Sequence, residues 1–172
     1  MEAKYELTDE TIEWECITLY RIKALRDFGD VKAGDLGGFV ESEDNLSHYG
    51  NCWIYNNARV CEGSIVEDDA KISNNAWVTS CSYVHDNARV YGHAKVFGGS
   101  TISDQSRVFL HACVEDSTVT DNARVYGHAI ISECWLSDNA RVYGYTELYN
   151  DQYVDGNSDL CDHPEMDSGI WI

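Results

Sequence analysis

His93, His111 and His128 are the side chains best suited to proton transfer, with His85 upstream of them. Imidazole gains and loses a proton near neutral pH. Each could therefore act as general base on a hydroxyl or amine, or ligate a metal. Arg89, Arg107, Arg124 and Arg141 are followed two residues later by Tyr91, Phe109, Tyr126 and Tyr143. Guanidinium groups bind anions, aromatic rings stack, and both types are enriched at interfaces. Asp68, Asp86, Asp104, Asp121 and Asp138 form a third set. All three sets share one interval, 18 residues at first and 17 later. A common interval means that a structural unit recurs and carries its reactive groups with it.

The unit is shorter than the interval. Written in sixes from Asn51, the chain reads NCWIYN, NARVCE, GSIVED, DAKISN, NAWVTS, CSYVHD, NARVYG, HAKVFG, GSTISD, QSRVFL. The fourth place is always Ile or Val, and the second is Ala, Ser or Cys. A period of six fits neither a helix nor a plain strand. It fits a solenoid in which each hexad is a short strand plus a corner, and three hexads close one triangular coil. The aliphatic and small residues fill the prism. The string DNARVYGHA at 86–94 and 121–129 is then corner, strand and corner. Two single-residue losses, in HACVE (111–115) and HAIIS (128–132), lie one coil apart, so they shorten the same corner. At the other corner Asn should tolerate a left-handed backbone, and Asp should bond nearby N–H groups.

Over about residues 51–162 this pattern resembles the hexapeptide-repeat family. The resemblance implies an all-β, left-handed parallel β-helix, here of about six coils. Many members are trimeric acyltransferases with a His base and acyl-CoA along a subunit groove. That makes His93, His111 and His128 the catalytic candidates under this reading, with acyl-CoA as cosubstrate. Against it, no long loop leaves the coils to close a pocket, and little basic surface lies outside the Arg column. Some carbonic anhydrases of the family hold zinc between coils through His. Their longer motif is missing, so no metal is expected.

Bulk properties narrow the classes. The formal charge is −18 from 30 acids and 12 bases, which disfavours nucleic-acid binding and suits a protein partner with a basic surface. No apolar run approaches the roughly 18 residues of a membrane helix, and the acidic start MEAKYELTDE is no signal peptide. Seven cysteines without a CxxC pair read as reduced thiols in a cytoplasm.

The ends differ from the repeat. Residues 1–44 read as an N-terminal β cap of two or three strands with a turn at TDE, plus a Gly-rich connection. Residues 45–162 form the repeat, and 163–172 a tail or plug ending GIWI. The leader, from TLYRIKALRDFGDVKAGDLGGFVESEDN onward, paired with DNARVYG repeats, resembles phage and prophage proteins and their bacterial relatives. Some of these carry a transferase label by repeat similarity. The leading expectation is therefore a non-enzymatic, acidic interaction module in the bacterial cytoplasm. It would block a host nucleic-acid-handling or CRISPR-type defence enzyme by occupying its basic surface. The Arg–aromatic face and the Asp corner are the candidate contact surfaces, and a dimer or trimer is the expected form if copies associate. The acyltransferase is the alternative.

Overall fold

The computed structural model describes residues 2–162; the expected tail or plug at 163–172 lies outside them. The chain winds into a parallel β-solenoid of three faces. The arginine face has seven rungs, from Trp53–Ile54 through Lys71–Ile72, Arg89–Val90, Arg107–Val108, Arg124–Val125 and Arg141–Gly144 to Asp159–Asp162. The third face has six, from Ile65–Val66 to Tyr153–Val154. The cap face begins with three leader strands, β1 (Tyr5–Trp14), β2 (Ile17–Ala24) and β3 (Leu36–Val40), and then takes one rung from each later coil.

Most rungs are only two residues long, yet each interior rung is bonded on both sides. Outward residues donate their N–H to the next coil: Arg89 to the Ser106 carbonyl at 3.0 Å and Tyr91 to the Val108 carbonyl at 3.0 Å. Inward residues pack like on like. Val90, Val108, Val125 and Val142 are fully buried, as are the small residues Ala88, Ser106, Ala123 and Ala140 near the corner. Burying each Val contributes about 1.5–3 kcal/mol. The aliphatic and small positions of the hexad are therefore the core, as its period requires.

The solenoid has seven turns rather than about six. The extra turn starts in the leader, where β3 pairs in parallel with Arg59–Val60 and Leu46 bridges Val66. The sequence hides it because Gly37 and Gly38 resemble a loop. Both are demanded by close approach: a Cβ on Gly37 would lie 2.5 Å from Ile22 Cγ1, and one on Gly38 would strike the Ala58 carbonyl.

β1 and β2 form an antiparallel hairpin, and β2 pairs antiparallel with β3. The turn lies at Glu15–Cys16, with Glu15 at φ 54, and not at TDE. Thr8, Asp9 and Glu10 instead bulge from β1 opposite Arg21, between the Leu7–Ile22 and Thr11–Tyr20 pairs. The hairpin lays Trp14 edge-on against Trp77 of the cap face at 4.8 Å. Tyr5, Phe28, Val31 and Trp53 join the core at the open end of the prism. Lys4 is fully buried there, donating to the carbonyls of Cys52 at 3.0 Å and Tyr49 at 3.3 Å, and burial lowers its pKa.

Both single-residue losses fall at the corner between the cap face and the third face. Thr101 pairs with Thr118 and Thr118 with Trp135, each 17 apart, before Trp135–Tyr153 restores 18. The full-length corner uses two consecutive left-handed residues, such as Ser80 (φ 56) and Cys81 (φ 59), or Gly98 and Gly99. The short corner needs only one, Asp116 (φ 44) or Glu133 (φ 55). One fewer left-handed residue turns the same angle with one fewer peptide.

Candidate functional site

The three repeated sets become vertical columns. The Asp column lies at the corner that leads into the arginine face. Asp68, Asp86, Asp104, Asp121 and Asp138 all adopt φ between 55 and 57, so Asp, and not the following Asn, is the left-handed corner residue. Their carboxylates do not serve a local turn. Each accepts the backbone N–H of the residue one coil on: Asp86 N–H to Asp68 at 3.2 Å, Asp104 to Asp86 at 3.4 Å, Asp121 to Asp104 at 3.4 Å, Asp138 to Asp121 at 3.1 Å, and Gly156 to Asp138 at 3.0 Å. Asp104 also accepts the Thr120 hydroxyl at 2.5 Å, and this bond first, then the Asp121 N–H, lowers its pKa. The column is a vertical brace of the solenoid.

On the arginine face, Arg89 pairs with Lys71 and Arg107, and Arg124 with Arg107 and Arg141. No carboxylate among the described residues lies within ion-pair distance of these four arginines, because the neighbouring Asp column faces backbone N–H groups instead. Tyr91, Phe109, Tyr126 and Tyr143 stack face to face, with centroids 4.9, 4.8 and 4.7 Å apart. His93, His111, His128 and Tyr145 stack likewise at 5.1, 4.9 and 4.9 Å along the next corner. The three histidines are exposed on that ridge, while His85 sits at the Asp corner and pairs with Asp86 at 2.8 Å.

A further cluster escaped the repeat pattern. At the corner between the cap face and the third face, Asp116 and Glu133 of the two shortened turns and Asp151 of the next, full-length turn surround a cleft of about 250 Å³ with Trp135 and Tyr153 on its wall. Trp135 is 46% exposed and Tyr153 78%, and Tyr149 nearby is 40% exposed. None of the three carboxylates has an ion-pair partner among the described residues. The signal was present in sequence: Trp135 and Tyr153 are outward rung residues in register. Carboxylates beside open ring faces form a receptor for ammonium or guanidinium groups.

Two other groupings are explained by the fold. Asp68, His85 and Asp86 place ligand atoms within 4.8 Å of one another, but His85 pairs with Asp86 and the Asp68 carboxylate takes the Asp86 N–H. Cys52, Cys61 and Cys134 are buried free thiols, and burial pushes the Cys61 thiol up to about 12, far from a reactive thiolate. Among the described residues, no helix is long and apolar enough to cross a membrane.

No protein-family model matches the chain. A stretch of 58 residues is 40% identical to an Escherichia coli (strain K12) protein named "Uncharacterized acetyltransferase YdcK". That stretch covers 33% of this chain and 18% of the relative, so less than a fifth of the relative is matched. The chain is thus a parallel β-solenoid of hexapeptide-repeat type that shares a segment with a protein named as an acetyltransferase.

Proposed function

We propose that the chain is a non-catalytic binding module that recognises a protein with a basic surface. The observation that carries this reading is the acidic–aromatic corner of Asp116, Glu133, Asp151, Trp135 and Tyr153. Its carboxylates are unpaired and its rings are open to solvent, unlike the Asp column. An arginine or lysine of the partner would enter the cleft between rings and carboxylates. The charge of −18 would speed the encounter and make it salt-sensitive. A host nucleic-acid-handling or defence enzyme, whose working groove is basic, is the partner class this chemistry fits. Calorimetric titration with an arginine-rich peptide tests it. Binding should weaken as salt rises, and at one fixed salt concentration it should fall about tenfold in Trp135→Ala or Tyr153→Ala. Equal affinity in these variants would refute the assignment.

A second reading is an acyltransferase that uses His93, His111 or His128 as base, favoured by the similarity to the E. coli protein. It requires a second wall beside the exposed His ridge, which another copy of the chain would supply. Calorimetry with acetyl-CoA separates the two readings. Binding that is lost in His111→Ala supports the enzyme, and no heat at millimolar acetyl-CoA opposes it.

A further inference from the structure

The aromatic ladder on the arginine face has a missing rung. In register below Tyr91 the outward residue is Ser73, and one coil further down it is Tyr55. Neighbouring rings of the ladder lie 4.7–4.9 Å apart. Omitting one ring leaves the Tyr55 and Tyr91 positions two strand spacings, about 9.6 Å, apart along the ladder. One planar ring placed midway would lie about 4.8 Å from each, stacking on Tyr91 and meeting Tyr55 beside the Lys71 ammonium, which lies over the Tyr55 ring 5.6 Å from its centroid. The gap is a real cleft: a cavity of about 410 Å³ is lined by Asp30, Tyr55, Asn56, Lys71, Ser73, Arg89, Tyr91 and Arg107. Its size is that of a small-molecule site.

The charges around the slot are specific in sign. On the leader side, Asp30 accepts from Lys71 Nζ at 2.6 Å and from the Tyr55 hydroxyl at 2.9 Å, so this carboxylate is neutralised and its pKa is lowered, chiefly by Lys71. On the other side, Arg89 and Arg107 have no carboxylate partner among the described residues. They also line an adjoining polar cavity of about 170 Å³ with Asn87 and Gln105. Two guanidinium groups and two side-chain amides present many N–H donors beside a ring-sized slot. A group with several anionic oxygens uses them best.

We propose that the Ser73 gap binds a nucleoside phosphate, its base intercalated between Tyr55 and Tyr91 and its phosphate held by Arg89 and Arg107. This site lies on a different face from the acidic–aromatic corner and stands or falls independently of it. Ser73 is essential because only a small side chain leaves the rung open.

Calorimetry or ligand-observed NMR with AMP, GMP, CMP and UMP tests the proposal, with adenosine and ribose 5-phosphate as the separate halves. At least one mononucleotide should bind, and each half of it should bind at least about tenfold more weakly, since stacking and the phosphate contact each contribute that much. Ser73→Tyr completes the ladder, so it should fold with an unchanged or raised Tm yet lose nucleotide binding. Arg89→Gln should weaken binding about tenfold and reduce its salt dependence. The proposal is overturned if no mononucleotide binds the wild-type chain at millimolar concentration, if folded Ser73→Tyr binds as tightly as wild type, or if ribose 5-phosphate matches the nucleotide.

Discussion

Two corners of this solenoid carry acidic columns at coil spacing, and they use their carboxylates in opposite ways. Asp68 to Asp138 point along the solenoid and accept backbone N–H groups of the next coil. Asp116, Glu133 and Asp151 sit at a left-handed position too, but their carboxylates are open to solvent beside Trp135 and Tyr153. Residue type, spacing and backbone conformation are thus nearly the same, while one column braces the fold and the other is available for binding. A repeated charged residue is therefore not a site until its hydrogen-bond partners are known.

The largest expected effect separates the columns by stability. Asp104→Ala removes the acceptor of the Thr120 hydroxyl and the Asp121 N–H and puts a Cβ-bearing alanine at φ 57, without an Asp side chain to compensate. It should cost about 3 kcal/mol in denaturant unfolding, and Asp104→Gly should recover the backbone share. Next in size is binding. Trp135→Ala should weaken an arginine-rich peptide by about 1.4 kcal/mol while Asp104→Asn leaves that affinity unchanged.

A smaller effect concerns pH. The carboxyl of Asp104 is held below its usual range, so the folded state favours the ionised form. Its contribution is full above the unfolded pKa of about 3.9 and is lost as pH falls through the lower folded pKa. Unfolding at pH 5 and below pH 3 should show this loss, and Asp104→Asn should flatten it. The smallest effect closes the comparison. Glu133→Gln breaks no bond of the fold and should change stability by less than about 0.5 kcal/mol, measured by Tm. A large loss there would make the two corners alike.

The sequence exposes some of this plainly and conceals the rest for physical reasons. Val90, Val108, Val125 and Val142 are legible because the middle of each rung inside the prism takes an aliphatic residue, and their interval maps the surface columns without coordinates. The choice between Asp86 and Asn87 as the left-handed residue is not legible, since both types tolerate that conformation. The β1–β2 turn is not legible, because Thr8-Asp9-Glu10 has turn chemistry whereas Glu15-Cys16, where the turn lies, has little. The first turn of the solenoid is hidden in the sequence, because β3 is defined by pairing with Arg59–Val60 far along the chain. Trp135 and Tyr153 stayed hidden because the interval returns from 17 to 18 between them, where the pattern is weakest.

The most direct test of the account is an NMR titration of the labelled chain with an arginine-rich peptide. The account predicts amide shifts concentrated at 116–118, 133–135 and 151–153, with the Asp68–Asp138 column little changed. Shifts concentrated on the Asp column, or spread evenly over both corners, would contradict it.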